Sequence, residues 1–288
     1  MAGRVVAGRV TSGRVASGDG RGSASIGAVQ HPTMPISITW VGHATVLIEI
    51  DGLRVVTDPV VTPRMAHLRR RVAVPTLPEI DAIAISHVHL DHLHGASLRR
   101  MTGSGPIVVP RGAQSLVATL PRRDVHEVVA GDVMTLREAD DTRPAVRLCA
   151  VPANHASGRG PHSRVSAAPV GYVVEIGTRR IYFAGDTDLF DEMHELGPID
   201  VALLPIWGWG PTLGDRHLDP QRAATATSWI DPTVVVPIHW GTYSPIRPRP
   251  GSPRWLENPL AEFGSALAEQ GLEQRLTVLR PGDSMHLD

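Results

Sequence analysis

The chain contains no lysine: all 28 of its basic residues are arginine. Schiff-base chemistry and a nucleophilic lysine are thereby excluded. Cysteine is almost absent as well. Cys149 stands alone, which rules out an internal disulfide, a thiolate-rich zinc ribbon and an iron-sulfur cluster. No stretch approaches the ~18 consecutive apolar residues of a membrane-spanning helix, and no apolar run of ~7 to 15 residues marks a secretory signal. A cytoplasmic location without a transmembrane segment is the expectation. The formal net charge is only -1, so nothing in the charge balance calls for nucleic acid as a partner. Aromatic residues make up 4%, whereas 28 Gly and 25 Pro point to many turns and short strands.

What is present suffices for a proper core, since 288 residues with 42% hydrophobic content can build one large or two small domains. Residues 1–34 repeat a Gly-Arg-Val pattern and then turn Gly/Ser-rich, without the spacing of a packed element. They read as a disordered tail: a solvated extension, or the product of a start codon placed too early, is preferred to an organellar transit peptide, which the Arg- and Ser-rich, acid-poor composition also resembles. The folded domain is expected to span 35–288. Within it, strands are expected at 36–40, 45–50, 53–57, 81–85, 106–109, 125–129, 133–136, 146–151, 170–176, 180–183, 201–204, 234–238 and 276–279. Helices are expected at 93–100, 113–120, 220–229 and 256–270. Two hairpins, across Asp51-Gly52 and Gly177-Thr178, are each followed by an aspartate, Asp58 or Asp186, which suggests two halves of similar build. Residues 61–79, carrying Arg64, Arg69, Arg70 and Arg71, read as a long basic loop, solvated or holding an anionic substrate. Alternating strands and helices argue for a layered α/β fold with mixed sheets.

The chemistry concentrates behind the strand at 81–85. His87, His89, Asp91 and His92 crowd four metal-capable side chains into six residues. Imidazoles so close repel when protonated and are good ligands when neutral. An extended segment places His87 and His89 on one side, with Asp91 and His92 facing a neighbouring point. One loop can thus serve two metal ions. Zinc needs about four ligands per ion, and three further candidates stand at strand ends: His155, Asp186 and His239.

Asp58, His87-x-His89-x-Asp91-His92, His155, Asp186 and His239 occur in the order of the five motifs of the metallo-β-lactamase superfamily, which the chain from 36 to about 282 resembles. Trp40-Val41-Gly42-His43-Ala44-Thr45, Phe183-Ala184-Gly185-Asp186-Thr187, His217-Leu218-Asp219-Pro220 and Ile238-His239-Trp240-Gly241-Thr242 resemble the branch of N-acyl-phosphatidylethanolamine phospholipase D and, more distantly, the ascorbate 6-phosphate lactonase. The resemblance implies a four-layer αβ/βα sandwich with two divalent metals at one edge, zinc first and manganese as the alternative. His87, His89 and His155 would hold one ion, Asp91, His92 and His239 the other, with Asp186 bridging. Asp58 would support the metal loop by hydrogen bonds, and His43 would do so too or belong to the core. The di-iron redox members carry glutamate at the position of His89, and true β-lactamases commonly carry cysteine at that of Asp186, so neither activity is expected.

A water shared by two metals has its pKa lowered toward ~7 and supplies hydroxide at neutral pH. The expected function is hydrolysis of a phosphodiester, small or lipid-like, with Asp91 orienting the hydroxide and His217 contacting substrate or protonating the leaving group. Lactone or carboxylic-ester hydrolysis is the alternative within the fold, and a non-catalytic metal-binding protein the alternative outside it. Trp207 and Trp209 are expected to wall the pocket or to pack in the core. His94, His126, His162 and His194 are expected to be solvated.

Overall fold

The computed structural model describes residues 35–74, 76–120, 124–140, 142–160, 163–247 and 256–287; the expected tail and His162 lie outside them. The chain opens with a meander of β1 (Ile36–Gly42), β2 (Thr45–Ile50) and β3 (Leu53–Thr57). Two short strands, β4 (Arg64–Met65) and β5 (Leu68–Arg70), precede β6 (Ala82–Ala84), helix α1 (Gly95–Leu98), β7 (Ile107–Pro110), helix α2 (Gln114–Val117) and β8 (Val125–Val128). The second half runs through β9 (Val133–Arg137), β10 (Val146–Pro152), β11 (Val170–Ile176), β12 (Arg179–Phe183), β13 (Val201–Pro205), helix α3 (Pro220–Ile230), β14 (Val234–Ile238) and β15 (Tyr243–Pro245). Helix α4 (Asn258–Glu269) and β16 (Ser284–Leu287) close it.

Two mixed sheets result, in the orders β16-β1-β2-β3-β6-β7-β8 and β14-β13-β12-β11-β10-β9. Each joins an antiparallel hairpin to parallel strands: β3 pairs parallel with β6, as β12 does with β13. Period-2 alternation sends successive residues to opposite faces. Ile181 and Phe183 enter the core between the sheets, where Ile36, Ile38, Val46, Ile48, Leu203 and Val236 meet them. Tyr182, Ala202 and Leu204 face the other way, against Ala223, Ile230 and Phe263 of α3 and α4. Ile83, Ile85 and Val109 likewise pack with Leu98 and Val117 of the short helices. Both faces of both sheets are covered, which is why the strands read as continuous apolar runs. The layers are those of an αβ/βα sandwich.

Helix α3 starts where its sequence says it should. Asp219 caps it by accepting from Arg222 N at 2.8 Å, Pro220 occupies the first turn, and Asp231 ends it in the left-handed conformation at φ 52°. The chain end differs from expectation. Leu276 makes a single bridge to Val235, and the final strand is β16, paired antiparallel with β1. Its residues alternate exposed and half-buried, too weakly apolar a pattern to stand out in sequence. The two helices of the first half are also shorter than expected.

The basic loop is a structured brace. β4, β5 and β15 form a third small sheet, and Arg70 points inward, only 8% exposed. Its guanidinium donates to Val41 O, to Val60 O at 3.0 Å and to Ala73 O at 3.3 Å, beside Tyr243. Arg70 therefore satisfies carbonyls and is not available to substrate, whereas Arg64, Arg69 and Arg71 are exposed. Among the described residues no helix is long and apolar enough to cross a membrane. Arg70→Met strips the donors from buried carbonyls and is expected to cost about 2–4 kcal/mol, measurable as a lower midpoint of urea unfolding; an unchanged midpoint would refute the brace.

Candidate metal centre

Every candidate residue leaves the same edge of the two sheets. Asp58 follows β3, the 87–92 loop follows β6, His155 follows β10, Asp186 follows β12 and His239 follows β14. The side chains converge in two principal groups, one of His87, His89 and His155 and one of His43, Asp91, His92 and His239. Asp186 lies against the second, 3.3 Å from His92 Nε2 and 3.2 Å from His239 Nε2, and also groups with His155 and His217.

Hydrogen bonds on the outer ring nitrogens orient the imidazoles. His155 Nδ1 donates to Arg216 O at 2.8 Å and His239 Nδ1 to Trp207 O at 2.6 Å. His92 Nδ1 lies 2.7 Å from Asp58 Oδ2. Ser86 Oγ gives its proton to that same oxygen at 2.5 Å, so it accepts from His87 Nδ1 at 3.0 Å. In the neutral rings these bonds leave Nε2 with a bare lone pair. His155 Nε2 then faces His89 Nδ1 at 3.1 Å, and His92 Nε2 faces His239 Nε2 at 3.2 Å. A proton on His89 Nδ1 or on His92 Nε2 makes either contact an N–H···N hydrogen bond, and a cation between the rings would take the proton's place. His87 Nε2 is buried without a hydrogen-bond partner, and Asp186 Oδ1, 3.2 Å from His239 Nε2, accepts no hydrogen bond, a costly state that a cation would relieve.

Protonation follows the same logic. Burial holds His87 and His155 below the ordinary imidazole value and takes His239 down to about 3. Burial alone would raise the carboxyls of Asp91 and Asp186, but the surrounding histidines hold both well below the usual range. His92 is the exception: against burial, Asp186, Asp91 and Asp58 carry it well above the ordinary value. Such a mixture of neutral imidazoles and ionised carboxylates suits a divalent cation of the zinc type.

The supporting residues divide more sharply than the sequence could say. Asp58, fully buried, accepts from Ser86 N at 2.7 Å besides its bonds to Ser86 Oγ and His92. His43, left open between support and core, sends Nε2 to Asp91 Oδ2 at 3.1 Å. Trp209 Nε1 donates to that oxygen at 3.1 Å. Trp209 lines the cleft over the centre, about 370 Å³ in volume, with His89, Leu90, Asp91, Asp186 and His217. Trp207 does not line it; its indole donates to Gly210 O and holds the turn. His217 stands at the wall with Nδ1 on Gly214 O and Asp215 O and Nε2 at 3.6 Å from Asp186 Oδ2. Of the histidines expected to be solvated, His194 is exposed against Trp229. His94 instead bonds Ser97 Oγ at 2.8 Å, and His126 on β8 has a buried Nε2. Sequence reasoning missed Arg159, which also lines the cleft; in a Ser-Gly-Arg-Gly context nothing signalled it.

A sandwich of this layering, with histidines and aspartates gathered at the edge between its sheets, defines the metallo-β-lactamase fold. The beta-lactamase superfamily domain matches residues 53–240, and the chain belongs to the metallo-β-lactamase superfamily. It is 32% identical over 255 residues to a metal-dependent hydrolase of Methanopyrus kandleri, covering 86% of this chain and 98% of that one. An uncharacterized protein of Mycobacterium tuberculosis is 32% identical over 229 residues, 72% of this chain but only 59% of its own length. An N-acyl-phosphatidylethanolamine-hydrolyzing phospholipase D of Caenorhabditis elegans is 29% identical over 237 residues, 74% of this chain and 66% of that one. Among solved structures, the metallo hydrolase Igni18 of Ignicoccus hospitalis superposes with a TM-score of 0.65 at 24% identity, covering 88% of this chain and 99% of that one.

Gly185 is part of the geometry. Its φ is +62°, and a Cβ there would lie 2.5 Å from Ser86 Cβ. Gly185→Ala is expected to cost at least about 2 kcal/mol, from the left-handed backbone and the displaced Ser86. Urea unfolding measures it, and a loss under ~0.5 kcal/mol would contradict the close approach.

Proposed function

We propose that this protein is a dinuclear metal-dependent hydrolase acting on phosphodiesters, including lipid-like ones. The observation that carries the reading is the gathering of metal-capable donors, His87, His89 and His155 in one group and His43, Asp91, His92 and His239 in another, beside a buried His87 Nε2 that has no hydrogen-bond partner. On this reading His87, His89 and His155 hold one ion, and Asp91, His92 and His239 the other. Asp186 lies between them. The relatives' description as metal-dependent hydrolases supports the coarser statement, and the phospholipase relative supports the phosphodiester. An apolar rim supports a lipid-like arm, because Leu90, 42% exposed, stands at the cleft with Trp209 and Leu213.

Bound divalent ions, zinc foremost, would supply Lewis acidity, activating water and polarising the attacked group. The rest is the work of the chain. Asp91 orients the attacking water by accepting its hydrogen, while His43 and Trp209 fix the carboxylate. His217, its Nδ1 committed to backbone carbonyls, presents Nε2 to the leaving group as proton donor.

Elemental analysis of the purified protein is expected to find two transition-metal ions per chain, and none at all would overturn the reading. Turnover of bis(p-nitrophenyl) phosphate should exceed that of a lactone panel; hydrolysis of lactones alone would replace the phosphodiester assignment with the lactonase one. Asp91→Ala is expected to lower kcat by about 10²- to 10⁴-fold, and retention of full rate would refute its role.

A further inference from the structure

One cation in the cleft has no part in the chemistry just described. Arg159 leaves the loop that follows His155, where Gly158 bridges Ser166 and Arg159 N donates to Val165 O at 3.2 Å. Its side chain crosses to the loop of the histidines. There Nη1 donates to Val88 O at 2.7 Å and to Leu93 O at 3.2 Å. Val88 sits between His87 and His89, so the guanidinium is fixed directly beside the centre. It is half-buried and lines the cleft, the one arginine to do so among the described residues.

The guanidinium is anchored but not neutralised. Both of its bonds go to uncharged carbonyls, and among the described residues no carboxylate pairs with it and neither Nε nor Nη2 has a hydrogen-bond partner. Asp91 and Asp186, the carboxylates of the cleft, face histidines. A partly desolvated charge without a counter-charge is unfavourable for the free protein. Its Nε and Nη2 edge is the face of arginine that takes a carboxylate or a phosphate through two parallel hydrogen bonds.

We propose that Arg159 is a specificity-determining residue: it binds a second anionic group, a carboxylate or a phosphate, carried by the substrate away from the bond that is hydrolysed. The inference rests on the hydrolase reading for the bond cleaved, but not for the anion that is bound. Because Nη1 is pinned to the metal loop, the anion is held at a fixed offset from the centre. Substrate charge at that offset then becomes affinity and orientation.

The test compares p-nitrophenyl phosphodiesters whose second ester group is ethyl, carboxyethyl or phosphoethyl. For the wild type, kcat/KM is expected to be about 10- to 100-fold higher with one of the charged arms than with ethyl, mainly through KM, and the arm preferred tells carboxylate from phosphate. In Arg159→Gln the ratio of charged to ethyl substrate should fall to near one, and Arg159→Lys should restore part of it, as a point charge without the fork. A ratio near one in the wild type overturns the proposal. So does a variant that loses rate on all substrates while keeping the ratio, since Arg159 would then only hold the loop. A second arm does not depend on turnover. By calorimetry of the metal-loaded protein, wild type should bind 3-phosphonopropionate or propane-1,3-diphosphonate at least about tenfold tighter than ethylphosphonate, and Arg159→Gln should bind them alike. Absent turnover with that binding difference present would sink the hydrolase reading and keep the anion site; equal binding by the wild type would sink the anion site.

Discussion

A single buried carboxylate holds the centre of this molecule in register. Asp58 ends β3, with no exposure to solvent, and collects Ser86 N, Ser86 Oγ and His92 Nδ1. Through Ser86 Oγ it also sets the ring of His87. One side chain thus fixes the start of the metal loop, the tautomers of His87 and His92 and the distance from β3 to β6. A carboxyl group without exposure is tolerable only when fully hydrogen-bonded, and here that bonding is the organisation of the site. It also explains the close approach at Gly185, because Ser86 cannot withdraw from Asp58 to make room for a Cβ.

Backbone strain gathers at the same place. Non-glycine residues with positive φ include His43 at 57°, Asp58 at 34°, Arg216 at 61° and His239 at 64°. Left-handed backbone costs such residues of order 1–2 kcal/mol each, and it persists where the surroundings over-determine it. His43 illustrates how. Its N–H donates to Thr242 Oγ1 at 2.8 Å, and its carbonyl accepts from Trp40 Nε1 at 2.9 Å and from His239 N at 3.0 Å. The turn from β1 to β2 is therefore welded to the end of β14, and the two sheets are joined at the edge where the donors converge. Its ring lies against that of His239, with centroids 3.8 Å apart and the planes tilted by 35°.

Much of this was legible in the sequence, and the reasons are physical. Strands covered on both faces must be apolar at every position, so their runs were easy to find, and donors placed at their ends inherited that clarity. What escaped was whatever depends on distant pairing. β16 is half-exposed and has meaning only beside β1. Arg70 looks like any surface arginine until β5 pairs with β15 and turns it inward. Arg159 gains its place from the loop after His155, and of two tryptophans alike in sequence only Trp209 turns its indole to Asp91, while that of Trp207 reaches Gly210 O. Local pattern encodes burial; it does not encode which carbonyl a guanidinium reaches.

The arrangement around Asp91 bears on how labour is divided in the proposed hydrolysis. Asp91 Oδ2 already meets His43 Nε2 and Trp209 Nε1, both at 3.1 Å, and has His92 Nε2 and His239 Nε2 at 3.8 Å. An oxygen so surrounded by donors, beside a His92 held well above its ordinary value, is a poor place to keep a proton. Such a carboxylate can direct a water by accepting its hydrogen, but the proton that departs with the leaving group must come from elsewhere. His217 is suited to that, because its committed Nδ1 leaves a single working nitrogen, 3.6 Å from Asp186 Oδ2, in a residue that lines the cleft. On the proposed reading, orientation and proton supply thus fall to two different side chains of the cleft. Indole and imidazole on Asp91, neither of them expected to bind a cation, explain why the Trp207 to His217 segment and the turn at His43 belong to the same site although they are far apart in the chain.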